Sequence, residues 1–127
     1  MQTAPSQLPA DVLARADVLT EDELDTLPVG MIQLDRDGRV LKFNQTESQL
    51  ARMDKGDALG RSFFDEVAPC TKVQEFHGRF VEGVQARSLN TIFPYEFRFR
   101  DGRQKKVIVS MFYSASTETV WVLVERP

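Results

Sequence analysis

Residues 31–43, MIQLDRDGRVLKF, decide the fold class of this chain. Two runs of strand-forming apolar residues flank the segment DRDG at 35–38, whose composition is typical of a tight turn between antiparallel strands. The Asp-x-Asp-Gly pattern also begins like a calcium-binding loop. However, Arg39 and Leu41 occupy positions where oxygen ligands would be needed, and no acidic residue closes the loop. The stretch therefore predicts a β-hairpin and no metal site.

Helical patterns follow the hairpin, and strand patterns return after them. Short helices are predicted over Gln45–Arg52, Asp57–Leu59 and Phe63–Ala68. One longer helix is predicted from an apolar stripe at helical spacing, which consists of Val73, Phe76, Phe80 and Val84. Three strands are predicted over Leu89–Phe99 (with Ile92, Tyr95, Phe97 and Phe99 as its apolar members), Val107–Phe112 and Val120–Val124. This order predicts an α+β domain, in which helices cover one face of a five-stranded antiparallel sheet.

Residues 1–29 precede this pattern and are predicted to form an N-terminal helical cap. Thr20 and Glu23 have the spacing of a capping box, in which each side chain accepts a hydrogen bond from the backbone N–H of the other residue. The helix that follows would bury Leu24 and Leu27 and would end at the next proline. We expect this cap to pack on the sheet face opposite the other helices.

The composition is that of one globular domain. At 127 residues the chain is long enough for a single hydrophobic core, and we assign residues 30–127 to that core domain. The formal net charge of −3 gives no general attraction to nucleic acid or to an acidic membrane. No apolar run approaches the roughly 20 residues that span a bilayer, and one cysteine without a partner fits a reducing compartment. We therefore expect a cytoplasmic protein that binds neither nucleic acid nor membrane and is a monomer or a weak dimer.

Few residues of this chain could carry chemistry. Cys70 is the only cysteine and His77 the only histidine, so no metal site is predicted. A free cysteine is most often a small buried hydrophobe. The sequence shows no activating base for Cys70 and no glycine-rich phosphate loop, and we predict no enzyme activity. A basic run is interpreted as a solvated sheet edge, and it consists of Arg98, Arg100, Arg103, Lys105 and Lys106.

Four stretches of the chain resemble the photoactive yellow protein family, small bacterial blue-light receptors with a PAS fold. They are GMIQLDRDG (30–38), FFDEVAPCT (63–71), EFHGRFVEGV (75–84) and LNTIFPYEF (89–97). The resemblance implies a PAS fold and a p-coumaric acid (4-hydroxycinnamic acid) chromophore, held as a thioester on the cysteine of the APC motif. That cysteine is Cys70. The resemblance also implies a protonated glutamic acid that donates a hydrogen bond to the buried phenolate, and Glu47 occupies its position.

Twelve further residues are expected around the chromophore from the same resemblance. They are Ile32, Phe43, Ala51, Arg52, Met53, Phe63, Phe64, Val67, Ala68, Pro69, Tyr95 and Phe97. For the apolar and aromatic members, an ordinary place in the core is the alternative interpretation.

Several of these positions depart from the family. Phe43 replaces a tyrosine that donates a second hydrogen bond, Ala51 replaces its supporting threonine, and Met53 replaces an arginine that covers the pocket. Arg52, one position earlier, is the candidate replacement for that arginine. The family also places a methionine over the chromophore, and residues 100–103 contain none. Losing one hydrogen bond to a charged group costs about 1.5–3 kcal/mol, which would raise the pKa of the phenolate by roughly one to two units.

Two hypotheses follow for the function. In the first, the chain is a photoreceptor in which light isomerises the chromophore from trans to cis. Glu47 then gives its proton to the phenolate, and the cap is released to signal to an unidentified downstream protein. In the second, the chain is a PAS sensor or protein-interaction module without a chromophore.

Overall fold

The predicted hairpin is present as strands β1 (Gly30–Leu34) and β2 (Val40–Phe43). The computed structural model describes residues 7–99 and 101–127. The first six residues of the predicted cap and Arg100 of the basic run therefore lie outside the described part. Gly38 closes the hairpin turn with a φ of 87° and donates its N–H to the carbonyl of Asp35 (3.0 Å). Glycine adopts this conformation without strain.

Three longer strands complete the sheet, in the order β2-β1-β5-β4-β3. They are β3 (Asn90–Arg98), β4 (Gln104–Ser114) and β5 (Thr119–Glu125), and each neighbouring pair is antiparallel. The predicted five-stranded antiparallel sheet is thus confirmed. Because β5 lies in the middle of the sheet, residues 119–124 are buried on both faces and form a continuous run rather than an alternating one.

Five short α-helices surround the sheet in the described part of the chain. They are α1 (Gln7–Arg15), α2 (Glu21–Asp25), α3 (Gln45–Ala51), α4 (Lys55–Ala58) and α5 (Arg79–Ala86). The predicted capping box starts α2, with the N–H of Glu23 3.1 Å from Oγ1 of Thr20 and the N–H of Thr20 2.9 Å from Oε1 of Glu23. None of these helices has the length and apolar character needed to cross a membrane.

Single helical turns of other types lie between the α-helices. Two are 3₁₀ turns, Ala16–Val18 and Pro69–Thr71, and two are π turns, Phe63–Val67 and Gln74–Gly78. The π turns replace the regular helices that the sequence predicts in these regions. They also bring several aromatic rings onto the sheet.

The sheet separates two apolar clusters. On one face, Ile32 and Val122 belong to a cluster with Phe76 of the helical layer. On the other face, Trp121 belongs to a cluster with Leu24 of the cap. Strand residues alternate between the faces, so neighbours such as residues 121 and 122 serve different clusters. The described part of the cap therefore packs on the face opposite the other helices, as the sequence predicts.

Two details of the predicted core are wrong. Along β3 the buried residues are Phe93 and Phe97, while Ile92 is 54% exposed, because the strand alternation places odd-numbered residues inward. Val73 does not begin the predicted helix: its backbone is extended (φ −132°, ψ 162°) and its side chain is 43% exposed. The buried stripe starts at Phe76.

Candidate functional site

A cavity of about 240 Å³ lies between α3, the segment 63–70 and the hairpin that joins β3 to β4. It is lined by Glu47, Ala51, Arg52, Met53, Phe63, Val67, Ala68, Pro69, Cys70, Phe97, Arg98, Phe99, Asp101 and Arg103. An apolar cavity of about 150 Å³ holds one benzene molecule. The volume here is therefore sufficient for a larger aromatic compound.

Most of the residues expected around the chromophore line this cavity, but four do not. Those four are Ile32, Phe43, Phe64 and Tyr95, which belong to the adjoining core or pack against it. Phe43 is 4% exposed and pairs with Ile32 across the first hairpin.

The far side of the cavity is formed by four residues around the β3–β4 hairpin, of which the sequence analysis assigns the two arginines to a solvated edge and Phe99 to the apolar side of a strand. They are Arg98, Phe99, Asp101 and Arg103. The alternation from Phe97 to Phe99 was the available signal for an inward-facing strand. No local sequence pattern indicates that the following turn folds over α3.

Cys70 lies in the 3₁₀ turn Pro69–Thr71, beside the edge strand β3. Its side chain is half-buried, and its Sγ accepts a hydrogen bond from the backbone N–H of Arg98 (3.5 Å). Its carbonyl accepts one from the hydroxyl of Tyr95 (2.5 Å). The side chain and the carbonyl group of Cys70 are both hydrogen bonded to residues of β3. The thiol is thus held at the cavity wall by its contact with β3.

Burial of the Tyr95 side chain, with a smaller effect from Cys70, raises the pKa of the tyrosine to about 12. The hydroxyl therefore keeps its proton at neutral pH and acts as a donor. Its acceptor is the cysteine backbone, so Tyr95 positions the turn that carries the thiol.

Glu47 is buried, with 4% of its surface exposed, and its Oε1 has no hydrogen-bond partner among the described residues. Burial raises the pKa of this carboxyl group to about 8, because the charged form loses its hydration. At neutral pH the group is therefore mainly protonated. An unpartnered buried polar atom is rare in folded proteins. The cavity thus contains a neutral acid with unused hydrogen-bonding capacity.

Gly30 makes room for this carboxyl group. A Cβ atom at position 30 would overlap Oε1 of Glu47 and lie 3.2 Å from its Cδ. The carboxyl group therefore packs directly against the backbone of β1. The residue type at position 30 is part of the site, although the strand pattern gives it no special role.

Asn44 connects the helix of Glu47 to both β1 and the cap. Its Oδ1 accepts hydrogen bonds from the backbone N–H groups of Met31 (2.9 Å) and Glu47 (3.0 Å). Its Nδ2 donates to the carbonyls of Leu24 (2.7 Å) and Val29 (3.0 Å). One buried amide thus joins three segments, and α3 cannot shift without disturbing these bonds.

Two further contacts connect the start of α3 to the end of the cap. Thr46 donates its hydroxyl to the carbonyl of Leu27 (2.5 Å), whose side chain is half-buried. Asp25 accepts a hydrogen bond from the backbone N–H of Gln45 (2.8 Å) and forms an ion pair with Lys55 (2.6 Å). The three residues directly before Glu47 therefore all hold the cap.

Charged residues surround the mouth of the cavity. Arg103 forms an ion pair with Asp101 (2.7 Å), and its guanidinium lies 4.4 Å from the ring centre of Phe99. Phe99 in turn stacks on Phe97, with ring centres 6.0 Å apart. Hydrogen bonds from Arg103, and to a smaller extent the charge of Arg52, lower the pKa of Asp101. Arg52 thus lies near the hairpin, at the left-handed C-cap of α3.

His77 belongs to the aromatic packing. Its ring lies 4.6 Å from that of Phe64 and 6.4 Å from that of Phe80. In the described part of the chain, no group of three or more His, Cys, Asp or Glu side chains could hold a metal ion.

Comparisons with known proteins agree with this arrangement. Residues 20–125 match the family model described as the PAS fold. The chain is 40% identical over 108 residues to photoactive yellow protein from Halochromatium salexigens, and the match covers 85% of this chain and 86% of that protein. It is 33% identical over 116 residues to photoactive yellow protein from Rhodobacter capsulatus, and the match covers 91% and 90% of the two chains.

A solved structure is also similar. It is the photoactive yellow protein domain of the sensor histidine kinase Ppr from Rhodospirillum centenum, with a TM-score of 0.83 and 35% identity. The match covers 89% of this chain and 98% of that domain. The predicted PAS fold is thereby confirmed. These relatives are photoactive yellow proteins and the photoactive yellow protein domain of a sensor kinase.

Proposed function

Since the chain belongs to the photoactive yellow protein family of PAS-fold domains, we propose that it is a blue-light receptor carrying p-coumaric acid as a thioester on Cys70. One observation carries this proposal. The chain's only thiol and the buried carboxyl group of Glu47, with its unpartnered oxygen, line the same cavity. These two groups suit a ligand that is covalently bonded at one point and hydrogen bonded at another.

The remaining lining suits a planar aromatic acid. Phe63, Phe97 and Met53 provide apolar and aromatic surface, and the cavity volume is adequate. When bound, the p-coumaroyl group supplies light absorption, trans–cis isomerisation of its double bond and a phenolate oxygen that can accept a proton.

Glu47 acts as the hydrogen-bond and proton donor in this proposal. Its raised pKa keeps the carboxyl group protonated in the dark, so it can donate to an anionic oxygen. Once the proton is lost, a carboxylate remains in a site that offers its Oε1 no described partner. A buried unpaired charge costs several kcal/mol, and movement of α3 toward water would relieve this cost.

The cap transmits that movement in our proposal. Asn44 and Thr46 connect α3 to the carbonyls of residues 24, 27 and 29, so a shift of the helix strains these bonds first. Release of the cap would expose the sheet face around Trp121, which it buries in the dark state. A downstream signalling protein, not yet identified, would recognise the released form.

Reconstitution of the whole chain tests the attachment step. In this reaction Cys70 Sγ bonds to the acyl carbon of an activated p-coumaroyl thioester, and the leaving thiol departs with the cysteine proton. We expect the intact mass to rise by one p-coumaroyl group and a visible absorption band to appear. Cys70→Ala should show neither change, and neutral hydroxylamine, which cleaves thioesters, should reverse both in the unaltered chain.

The alternative is a PAS sensor or interaction module without a chromophore. It is favoured by the absence of a phenol at position 43, where Phe43 offers no donor, and by the short side chain of Ala51. This alternative predicts an unchanged mass after reconstitution. That outcome would exclude the photoreceptor proposal.

A further inference from the structure

A second cleft, of about 290 Å³, adjoins the main cavity between the side of α3 and the ends of β4 and β5. The residues of this cleft that matter here are Thr46, Gln49, Arg52, Arg103, Lys105 and Arg126. Four of these six side chains are cationic, and they come from three separate segments of the chain. The cleft shares Arg52 and Arg103 with the main cavity.

This positive charge is only partly neutralised within the described part of the protein. Arg103 pairs with Asp101, but Arg52, Lys105 and Arg126 form no ion pair with any described residue. The cleft also contains one carboxylate, Glu125, and none of the four cations forms an ion pair with it.

This concentration of cations is unusual for a chain whose net charge is −3. Elsewhere several cations have a close carboxylate partner, such as Lys55 with Asp25 and Lys72 with Asp65, each at 2.6 Å. Like charges held together in one concave site repel each other, and the field of such a site concentrates anions. An anionic ligand would remove the repulsion and gain charge-assisted hydrogen bonds.

We propose that this cleft binds a small ligand with two negative charges on oxygen atoms, either a phosphate ester or a dicarboxylate. The guanidinium groups of Arg52 and Arg126 can each bind such a group through two parallel hydrogen bonds, and Lys105 adds a point charge. The side-chain amide of Gln49 is a further donor. The volume suits a small molecule and not the surface of a folded partner.

The position of the cleft couples this ligand to the moving parts of the domain. Thr46 of the cleft holds the cap through Leu27, and Arg103 belongs to the hairpin over the main cavity. An anion bound here contacts α3, that hairpin and the C-terminal strand together. If the position of α3 changes the affinity of the cleft for the anion, then binding of the anion must, by linkage, also change the position of α3.

The proposal is tested by amide NMR titration of the full chain without chromophore. Because no chromophore is present, the outcome of the titration does not depend on the photoreceptor function. The probes are inorganic phosphate and succinate, added at constant ionic strength by replacing sodium chloride. We expect saturable shifts of the amides of Lys105, Arg126 and Arg52 with at least one probe. A response to phosphate alone shows that the cleft takes a phosphate group, and a response to succinate alone shows that it takes a dicarboxylate.

Lys105→Gln and Arg126→Gln should each weaken binding by roughly tenfold, since a lost hydrogen bond to a charged group has about that effect. Lys106→Gln is the matched control: it removes the same charge from the next residue, which points to the opposite face of β4. The same spectra show whether each variant is folded. Shifts that stay linear with both probes, or equal weakening by Lys106→Gln and Lys105→Gln, would overturn the proposal.

Discussion

Two carboxyl groups on opposite faces of the sheet have opposite surroundings. In the cap, Asp17 accepts hydrogen bonds from the indole N–H of Trp121 (2.8 Å), the hydroxyl of Thr117 (3.3 Å) and the hydroxyl of Ser114. On the cavity face, Glu47 has an oxygen with no partner among the described residues, and burial raises its pKa to about 8. Asp17 therefore contributes to the fold, whereas Glu47 lies where a ligand can use its hydrogen-bonding capacity.

This contrast separates a structural acid from a functional one by their hydrogen-bond partners. Buried polar groups in folded proteins are almost always hydrogen bonded, and an exception requires a reason. For Asp17 the donors belong to the sheet and the turn that follows β4, so its loss should damage stability. For Glu47 the donors are few, so its loss should relieve a cost at alkaline pH. The variants below test this difference in sign.

The largest effect is expected for Glu47→Gln, in the pH dependence of stability. The unfolded chain loses this proton near pH 4.5 and the folded chain near pH 8. Between these values the folded state binds more protons, so the free energy of unfolding falls as pH rises, by at most about 1.4 kcal/mol per pH unit. Glu47→Gln cannot ionise and should remove this part of the slope, measured by urea denaturation of the chain without chromophore.

Glu82→Gln is the control for that slope, because Glu82 is exposed on α5. It should leave the pH dependence of the unaltered chain in place. Equal slopes for Glu47→Gln and the unaltered chain would mean that Glu47 ionises normally, and the distinction between the two carboxyl groups would then fail.

Asp17→Ala should have a smaller effect, and it should destabilise the protein at neutral pH. The substitution leaves the buried indole N–H of Trp121 without its acceptor, which should lower the free energy of unfolding by about 1–3 kcal/mol. Denaturant unfolding at neutral pH measures the change. Asp37→Ala, in the exposed first hairpin turn, should change stability little. If Asp17→Ala proves as stable as Asp37→Ala, Asp17 has no structural role.

Gly30→Ala should have the smallest effect on stability. The new Cβ overlaps the end of a flexible side chain, Glu47, so rearrangement limits the cost to about 1 kcal/mol. In the double variant Gly30→Ala with Glu47→Ala the two effects should couple, because the overlap is gone. Gly56→Ala has open space around its Cβ and should cause no loss. Strict additivity of the two substitutions would show that the carboxyl group does not pack on β1.

Local signals were sufficient to predict the sheet, but not Cys70 and Glu47 as site residues. Turn composition and alternation identify the first hairpin, whereas the roles of Cys70 in the APC motif and of Glu47 are implied only by the resemblance to the family. The placement of Phe43 away from the cavity could not be obtained in this way, because it depends on how β2 packs on β1. Alternation along a strand shows which residues share a face of the sheet, but it does not show which element covers that face.

The hairpin between β3 and β4 shows the same limit. Its basic residues have the composition of a solvated edge, yet Arg103 stacks on Phe99 and both line the cavity. The stacking is local to the hairpin, but lining the cavity requires closure of the hairpin toward α3, which is distant in sequence. For the same reason, the role of Asp17 could not be read from the cap, since its donors lie about a hundred residues away along the chain.

Light-minus-dark infrared difference spectra of the reconstituted chain measure most directly whether Glu47 is the proton donor. We expect illumination to remove the carbonyl band of a protonated carboxyl group. This loss should be absent in Glu47→Gln and unchanged in Asp17→Asn, although the cap of Asp17→Asn is weakened. If the chromophore bleaches in light while the carboxyl band of the unaltered chain stays constant, Glu47 keeps its proton and the proposed mechanism is wrong.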